Sequence, residues 1–309
     1  MDDSPIQTAL CVIGHPIGGN PTQFVALRAL AALGLDWQFV SFDVEPSQIE
    51  KAVGGIDSLG FCGAMIASPY QTKVASILAD SGGQANKIDA AADEQWHDCL
   101  SRGEKNGWLA SNLYAEAFRG HVESHAAKTG HPFEGCLLID EPQKLDDLTL
   151  PLKSVLPAEQ FFVVGATFKR WPENLRAATP ETTHEPDSPI EPPPAVAAPS
   201  LATSPWLVVW GLDSKPKKKV LSKGTSASLS NVFLSESLSQ LHPDSLIVDL
   251  SGTASSWLAT RSDPTDRPIS MIGSVDLELS RLVTAIKRWT GRDPNPEMMR
   301  EAIEEYLEV

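Results

Sequence analysis

At 309 residues, with 42% hydrophobic and 21% charged side chains, the chain has the composition of a globular protein large enough for two ordinary domains. A formal net charge of −15 and a pI near 4.8 set up a surface that repels nucleic-acid phosphates and anionic lipid, so no nucleic-acid or membrane-surface partner is expected. No run approaches the roughly 20 apolar residues that span a bilayer, no basic-then-apolar leader opens the sequence, and the cytoplasm is the expected location.

Ala9–Ile13 is a short apolar run ending at Gly14 and predicts a buried strand. Residues 22–33 carry Phe24, Leu27, Leu30 and Leu33 at helical spacing and close on Gly34. Trp37–Phe42 alternates like a strand. A helix over about Ser47–Val53, a strand at Ala64–Ala67 and a helix over about Thr72–Leu78 follow. This β-α-β-α-β order implies a parallel sheet with helices on its faces, and ligands bind such sheets at the carboxyl ends of the strands. Gly14–Thr22 and Ser68–Lys73 are therefore placed at the mouth of a pocket.

The second half opens with a strand at Cys136–Ile139, a helix around Lys144–Leu156 and a strand at Phe161–Val164. Pro180–Pro205 then holds eight of the 24 prolines and reads as a polyproline-like or disordered insertion. Strands are expected at Trp206–Trp210 and Ser245–Leu250, and amphipathic helices at about Asp276–Thr290 and Pro296–Leu307. The short basic run Lys215–Lys219 reads as a solvated loop rather than a phosphate site. The four cysteines, Cys11, Cys62, Cys99 and Cys136, form no CxxC pair and read as reduced thiols, not as zinc ligands or disulfides.

One segment, Cys11 to about Leu78, carries Val-Ile-Gly-His-Pro-Ile, Ala-Ala-Leu-Gly-Leu-Asp-Trp, Phe-Asp-Val and Gly60-Phe-Cys-Gly63. A second is Arg288-Trp-Thr-Gly291 with Asp293-Pro-Asn-Pro and Met298 after it. Both segments resemble the shikimate dehydrogenase family. The resemblance implies an α/β chain of two domains. Residues 1–115 and 276–309 would form the substrate-binding domain. Residues 120–272 would form a Rossmann-like domain with a degenerate nucleotide-binding turn and the Pro-rich insertion 180–205.

The family reduces 3-dehydroshikimate with NADPH. It uses a lysine and an aspartate near the transferred hydride, serines and asparagines on the substrate, and a Gly-rich turn under the pyrophosphate. At the matching positions this chain departs from the pattern. The serine pair becomes Asn20 and Thr22, which can still hydrogen-bond a ligand of different shape. A substrate asparagine becomes Met65. The catalytic lysine becomes Gln71, which neither carries charge nor moves a proton near neutral pH. Lys73 stands two residues on, turned about 200° around the helix, and reads as an exposed lysine before a relocated catalytic one. The Ala-Val-Asn-Thr strand is matched to Ala90–Asp93, which removes another amide. Asn112 is kept, but Tyr114 replaces the aspartate and reads as a packing or hydrogen-bonding tyrosine. A glutamine of the C-terminal helix becomes Arg281.

The cofactor turn, Leu137-Leu-Ile-Asp-Glu-Pro-Gln143, holds no glycine, and Asp140 and Glu141 would meet phosphate with like charge. The stretch matching the 2′-phosphate grip is Gly165-Ala-Thr167, with Lys169 and Arg170 as weak substitutes. The leading expectation is a protein that has lost NADP-dependent 3-dehydroshikimate reduction, binds no cofactor, and keeps a small-molecule or regulatory role through Asn20, Thr22, Gln71, Asn112, Tyr114 and Arg281. One alternative is a divergent active shikimate- or quinate-type oxidoreductase using NADP with Lys73 or Tyr114. The other is a scaffold working through the Pro-rich insertion. Oligomeric state and ligand identity are left open.

Overall fold

The structure is a computed structural model that describes residues 7–80, 96–103, 107–140, 161–165, 201–211, 241–254 and 269–308. The chain divides into two compact units, Met1–Phe118 with Val275–Val309, and Arg119–Ser274.

In the first unit the strands are β1 (Ala9–Gly14), β2 (Gln38–Asp43), β3 (Gly63–Ile66), β4 (Cys99–Arg102) and β5 (Trp108–Ser111), in the order β2-β1-β3-β4-β5. β1 pairs in parallel with β2 and β3, and β4 runs antiparallel to both β3 and β5. The carboxyl ends of β1, β2, β3 and β5 and the start of β4 therefore share one edge of the sheet. The period-2 alternation of each strand splits its side chains between two cores. Leu10, Val12, Met65 and Cys99 pack on one face, against α1 (Thr22–Ala32) and two C-terminal helices numbered below. Cys11, Ile13, Ala64, Ile66 and Leu100 pack on the other, against α2 (Ile49–Ser58) and α3 (Gln71–Asp80).

α1 ends through the Leu33 N–H, which donates to Ala29 O, and turns at Gly34, where φ is +69°. β4 and β5 were not anticipated as strands. Each has four residues, too short for a periodic signal, and only the Gly103 and Gly107 pair between them hints at a hairpin. The helix α4 (Leu113–Thr129) is likewise hidden in the sequence, because LYAEAFRGHVESHAAKT has a weak apolar stripe.

The last helices are α5 (Ser274–Thr290) and α6 (Pro296–Leu307). Asn295 caps α6, its Oδ1 accepting from the Glu297 and Met298 N–H groups, with Pro296 at the first turn. Leu282, Ile286, Met299 and Ile303 bury themselves in the core beneath α1. The Trp289 indole donates to Leu100 O at 3.0 Å and lies so close to β3 that only a residue without Cβ fits at Gly63.

Among the described residues the second unit holds a parallel sheet of five strands, β10-β9-β8-β6-β7, built from β6 (Gly135–Asp140), β7 (Phe161–Gly165), β8 (Trp206–Trp210), β9 (Leu246–Asp249) and β10 (Ser270–Gly273). The first strand of the unit, β6, lies between β7 and β8, as in a doubly wound Rossmann-like sheet. Its core joins Leu137, Ile139, Trp206, Val208, Trp210 and Ile247, and the Trp210 indole donates to Thr253 Oγ1 at 3.0 Å. The chain is thus α/β in both units. The expected helix 144–156, residues 180–200 of the Pro-rich stretch and the basic run 215–219 lie outside the described residues.

Candidate functional site

The shared edge of the first sheet is assembled from loops whose backbones are tied together. The Ala67 N–H donates to Ile13 O at 2.8 Å and the Val44 N–H to Gly14 O at 3.0 Å, so the loops after β1, β2 and β3 leave the sheet side by side. Gly14 is required here because a Cβ would run into Ala67 and Ile17. Across the strands, the Ile66 N–H donates to Asp98 O at 2.8 Å and the Asp98 N–H to Ser111 O at 3.1 Å, which brings the start of β4 to the same place.

Asp98 is the centre of the site. Its carboxylate is fully buried and accepts from the Leu113 N–H at 2.6 Å, the Tyr114 N–H at 2.9 Å and the Arg281 Nε at 2.9 Å. Two of these donors are the first amides of α4, which have no partner within their own helix. Burial pushes the Asp98 carboxyl above its ordinary range, while Arg281 and the two amides pull it back. Arg281 reaches out from α5 and also holds Glu278 through Nη1 at 2.5 Å. Burial alone would lower the guanidinium pKa, but Glu278 and Asp98 outweigh it and hold the group above its usual value. Glu278 in turn lies 3.5 Å from the Thr22 hydroxyl, a hydrogen bond at the outer limit of length. Thr22, Glu278, Arg281 and Asp98 thus form one continuous polar chain.

Tyr114 joins this group as a neighbour rather than a hydrogen-bond partner. The Arg281 guanidinium lies 6.0 Å from its ring centroid, and Trp96 meets the ring edge-on at 6.0 Å. Burial pushes the Tyr114 phenol up, with Arg281 opposing, which does not make it an acid or base for neutral pH.

The remaining residues singled out in the sequence are spread more widely. Asn20 Oδ1 accepts from the Thr22 N–H at 2.9 Å, fixing the entry to α1. Asn112 is buried and its Oδ1 accepts from the Ala115 N–H at 2.8 Å, capping α4. Gln71 stands at the start of α3, with its carbonyl accepting from the His97 N–H at 3.3 Å, next to Asp98. Lys73 is on another surface, in a cleft of about 340 Å³ lined by Glu50, Val53, Asp57, Ile77 and Trp108. Met65 is packed in the core.

The strand matched at Ala90–Asp93 lies outside the described residues, whereas the strand that pairs with β3 is Cys99–Arg102. The residue at the head of that strand is Asp98, which no motif in the sequence marks. The signal available was the hairpin: an apolar pair at Cys99-Leu100, then Gly103 and Gly107, then Trp108-Leu-Ala-Ser ahead of Asn112.

In the second unit, β6 ends at Asp140 beside Gly165 of β7. Glu141–Gln143, Thr167, Lys169 and Arg170 lie outside the described residues. Among the described residues no cluster of His, Cys, Asp and Glu could hold a metal ion, and no helix is long and apolar enough to cross a membrane.

Comparison with known proteins fits this geometry. Residues 12–92 match the family model of the shikimate dehydrogenase substrate binding domain. A shikimate dehydrogenase (NADP(+)) of Symbiobacterium thermophilum is 35% identical over 81 residues, covering 26% of this chain and 28% of that protein. One from Methanothermobacter thermautotrophicus is 32% identical over 92 residues, covering 30% and 32%. The alignments thus span about a third of these relatives' length. The crystal structure of a Thermus thermophilus shikimate 5-dehydrogenase with NADP(H) and shikimate superposes with a TM-score of 0.62 at 16% identity, over 97% of this chain and 100% of that one. Residues 12–92 are thus similar in sequence to the shikimate dehydrogenase substrate binding domain, and the chain as a whole shares the two-domain fold of a shikimate 5-dehydrogenase.

Proposed function

We propose that this chain is a non-catalytic member of the group: a small-molecule-binding protein that has lost NADP-dependent reduction of 3-dehydroshikimate. The observation that carries the reading is the buried ion pair of Asp98 with Arg281. It fills with fixed, mutually satisfied charge an edge where the resemblance implies uncharged amides and a proton-moving lysine. Gln71, at the lysine's position, cannot supply the proton. Tyr114, at the aspartate's, is held protonated by its burial. Lys73, the nearest lysine in sequence, belongs to the cleft beside α2.

The cofactor side agrees with this reading. Pyrophosphate binding relies on free backbone N–H groups and on glycine for close approach. The stretch after β6, Asp140-Glu-Pro-Gln143, has two acids, a proline without a donor and no glycine. The proposal therefore includes no nicotinamide cofactor.

The test joins activity and binding. Purified protein is assayed for shikimate- and quinate-dependent reduction of NADP+ and NAD+, and each nucleotide is titrated calorimetrically. The expected result is no turnover and no binding at micromolar concentration. Turnover above a heat-inactivated control, or a micromolar dissociation constant for either nucleotide, would replace this reading with that of a divergent oxidoreductase.

A further inference from the structure

On the face of the first sheet opposite α1, helices α2 and α3 leave between them the cleft of about 340 Å³ that holds Lys73. It shares no residue with the Asp98 network. Glu50, Val53, Gly54 and Asp57 recur at the three- and four-residue spacing that puts them on one side of α2, and Lys73 and Ile77 stand one turn apart on α3. β2 and β3 both run parallel to β1, so the two helices start from the same sheet edge, with Glu50 and Lys73 at that end. Asp57 is about 10 Å farther along α2. Leu78 and Trp108, the first residue of β5, close the cleft there.

At that closed end one group is left unsatisfied. Trp108 is only 8% exposed, and its indole N–H has no hydrogen-bond partner among the described residues. Buried N–H groups are almost always paired, because giving up water's hydrogen bond without a replacement is unfavourable. The ring itself is firmly placed. The Arg102 guanidinium lies 3.9 Å from its centroid and is held in turn by Phe61 O at 2.7 Å and Asp57 Oδ1 at 2.5 Å. Gly54 keeps the middle of the cleft open, since a Cβ there would meet nothing within 4 Å. A glycine inside a helix costs stability relative to alanine, so the helix alone does not call for it.

These features select the chemistry of an occupant. Val53, Ile77, Leu78 and the indole offer apolar contact, and the free N–H asks for an acceptor. An anionic acceptor would sit beside Asp57, whose close cation, Arg102, is already paired with it, and an ammonium has no lone pair to offer. At the open end Glu50 and Lys73 oppose each other in sign. Counting Arg102, two acids face two bases, so the cleft favours neither charge.

We propose that the α2–α3 cleft binds an uncharged, mainly apolar molecule whose carbonyl or ether oxygen accepts from the Trp108 indole N–H. The site is separate from the sheet edge and stands whether or not that edge binds a ligand.

Acetophenone and benzoate are suitable probes, since both carry an oxygen acceptor on a benzene ring and differ in charge. The full chain labelled with nitrogen-15 has eight tryptophans and so eight indole N–H resonances, of which Trp108→Phe removes, and thereby identifies, one. Acetophenone should shift that resonance downfield and saturably, and benzoate should bind at least about tenfold more weakly. Trp108→Phe keeps a ring but no donor and should weaken acetophenone binding, followed by ligand-detected NMR, about three- to tenfold, the worth of one hydrogen bond. Gly54→Leu, at an exposed helical position with room for a side chain, should abolish the shift. A Trp108 resonance that does not move at millimolar acetophenone overturns the proposal, as does benzoate binding equally tightly or an unchanged response in Gly54→Leu. Should Trp108→Phe fail to fold, loss of an acetophenone-shifted indole resonance in Gly54→Leu decides in its place.

Discussion

Replacing Arg281 with alanine is the most direct probe of the site. Asp98 has no exposed side-chain surface and Arg281 only 15%, so the pair is shielded from the solvent that makes most ion pairs weak. Removing one partner of a buried pair leaves the other charge uncompensated and costs about 3–5 kcal/mol. The Leu113 and Tyr114 amides still solvate Asp98 in the variant, which favours the lower end of that range. Urea unfolding followed by tryptophan fluorescence would measure the loss, with Asp98→Asn, Arg281→Gln and the double variant Asp98→Asn/Arg281→Gln forming a double-mutant cycle. The double variant should recover most of the loss, because an amide pair needs no counter-charge.

The pH dependence has a definite sign. Asp98 already has a folded-state pKa above its ordinary value, so it binds a proton more readily folded than unfolded. Without Arg281, which lowers that pKa, the folded value rises further. The deficit of Arg281→Ala should be full at neutral pH and shrink as pH falls through the carboxylate range. A loss below about 1 kcal/mol at neutral pH, typical of surface pairs, or a deficit that grows on acidification, would refute the reasoning.

Three further outcomes are expected. Gly63→Ala should destabilise the first unit by about 1–3 kcal/mol in thermal unfolding, since its methyl group would overlap the Trp289 indole packed on β3. Burial pushes the Cys11 and Cys99 thiols up to about 12 and Cys136 higher still, so iodoacetamide at pH 8 should label half-buried Cys62 in the native protein and spare the other three, read by peptide mass spectrometry. Lys73→Ala should change stability in urea unfolding by less than about 0.5 kcal/mol, because Lys73 is exposed on the cleft beside α2.

How far the sequence disclosed the fold depended on the length and periodicity of each element. β1, α1, β3 and β8 are dense in apolar residues, and α5 and α6 carry an apolar stripe every third or fourth residue, so all six were legible. β10, Ser-Met-Ile-Gly, was missed because four residues with little burial give no pattern; its strand character comes from pairing with β9. β4 and β5 were missed for a related reason, and with them went the register that puts Asp98 at the sheet edge. Asn20, Thr22, Gln71, Asn112 and Tyr114 could be picked out by motif, but their contacts could not. Asn20 and Asn112 prove to satisfy backbone amides, a role that any Asx residue at a helix start can take and that no ligand is needed to explain.

Arg281 shows why the rest of the site was illegible. Taken alone, it reads as one more lost glutamine, and Asp98 taken alone reads as nothing, since a single acid in a short hairpin has no signature. They are 183 residues apart in sequence and 2.9 Å apart in space. Each would be costly without the other: an isolated carboxylate at a fully buried position, or a guanidinium with only Glu278 to balance it. Together they are mutually satisfied and also secure the first turn of α4. Either uncharged amides or apolar residues at these two positions would be cheaper than burying two charges, so neither charge is explained by its own segment. The pair, joined through Glu278 to Thr22, is held by contacts that form only when β4, α4 and α5 meet, which is why no local pattern discloses it.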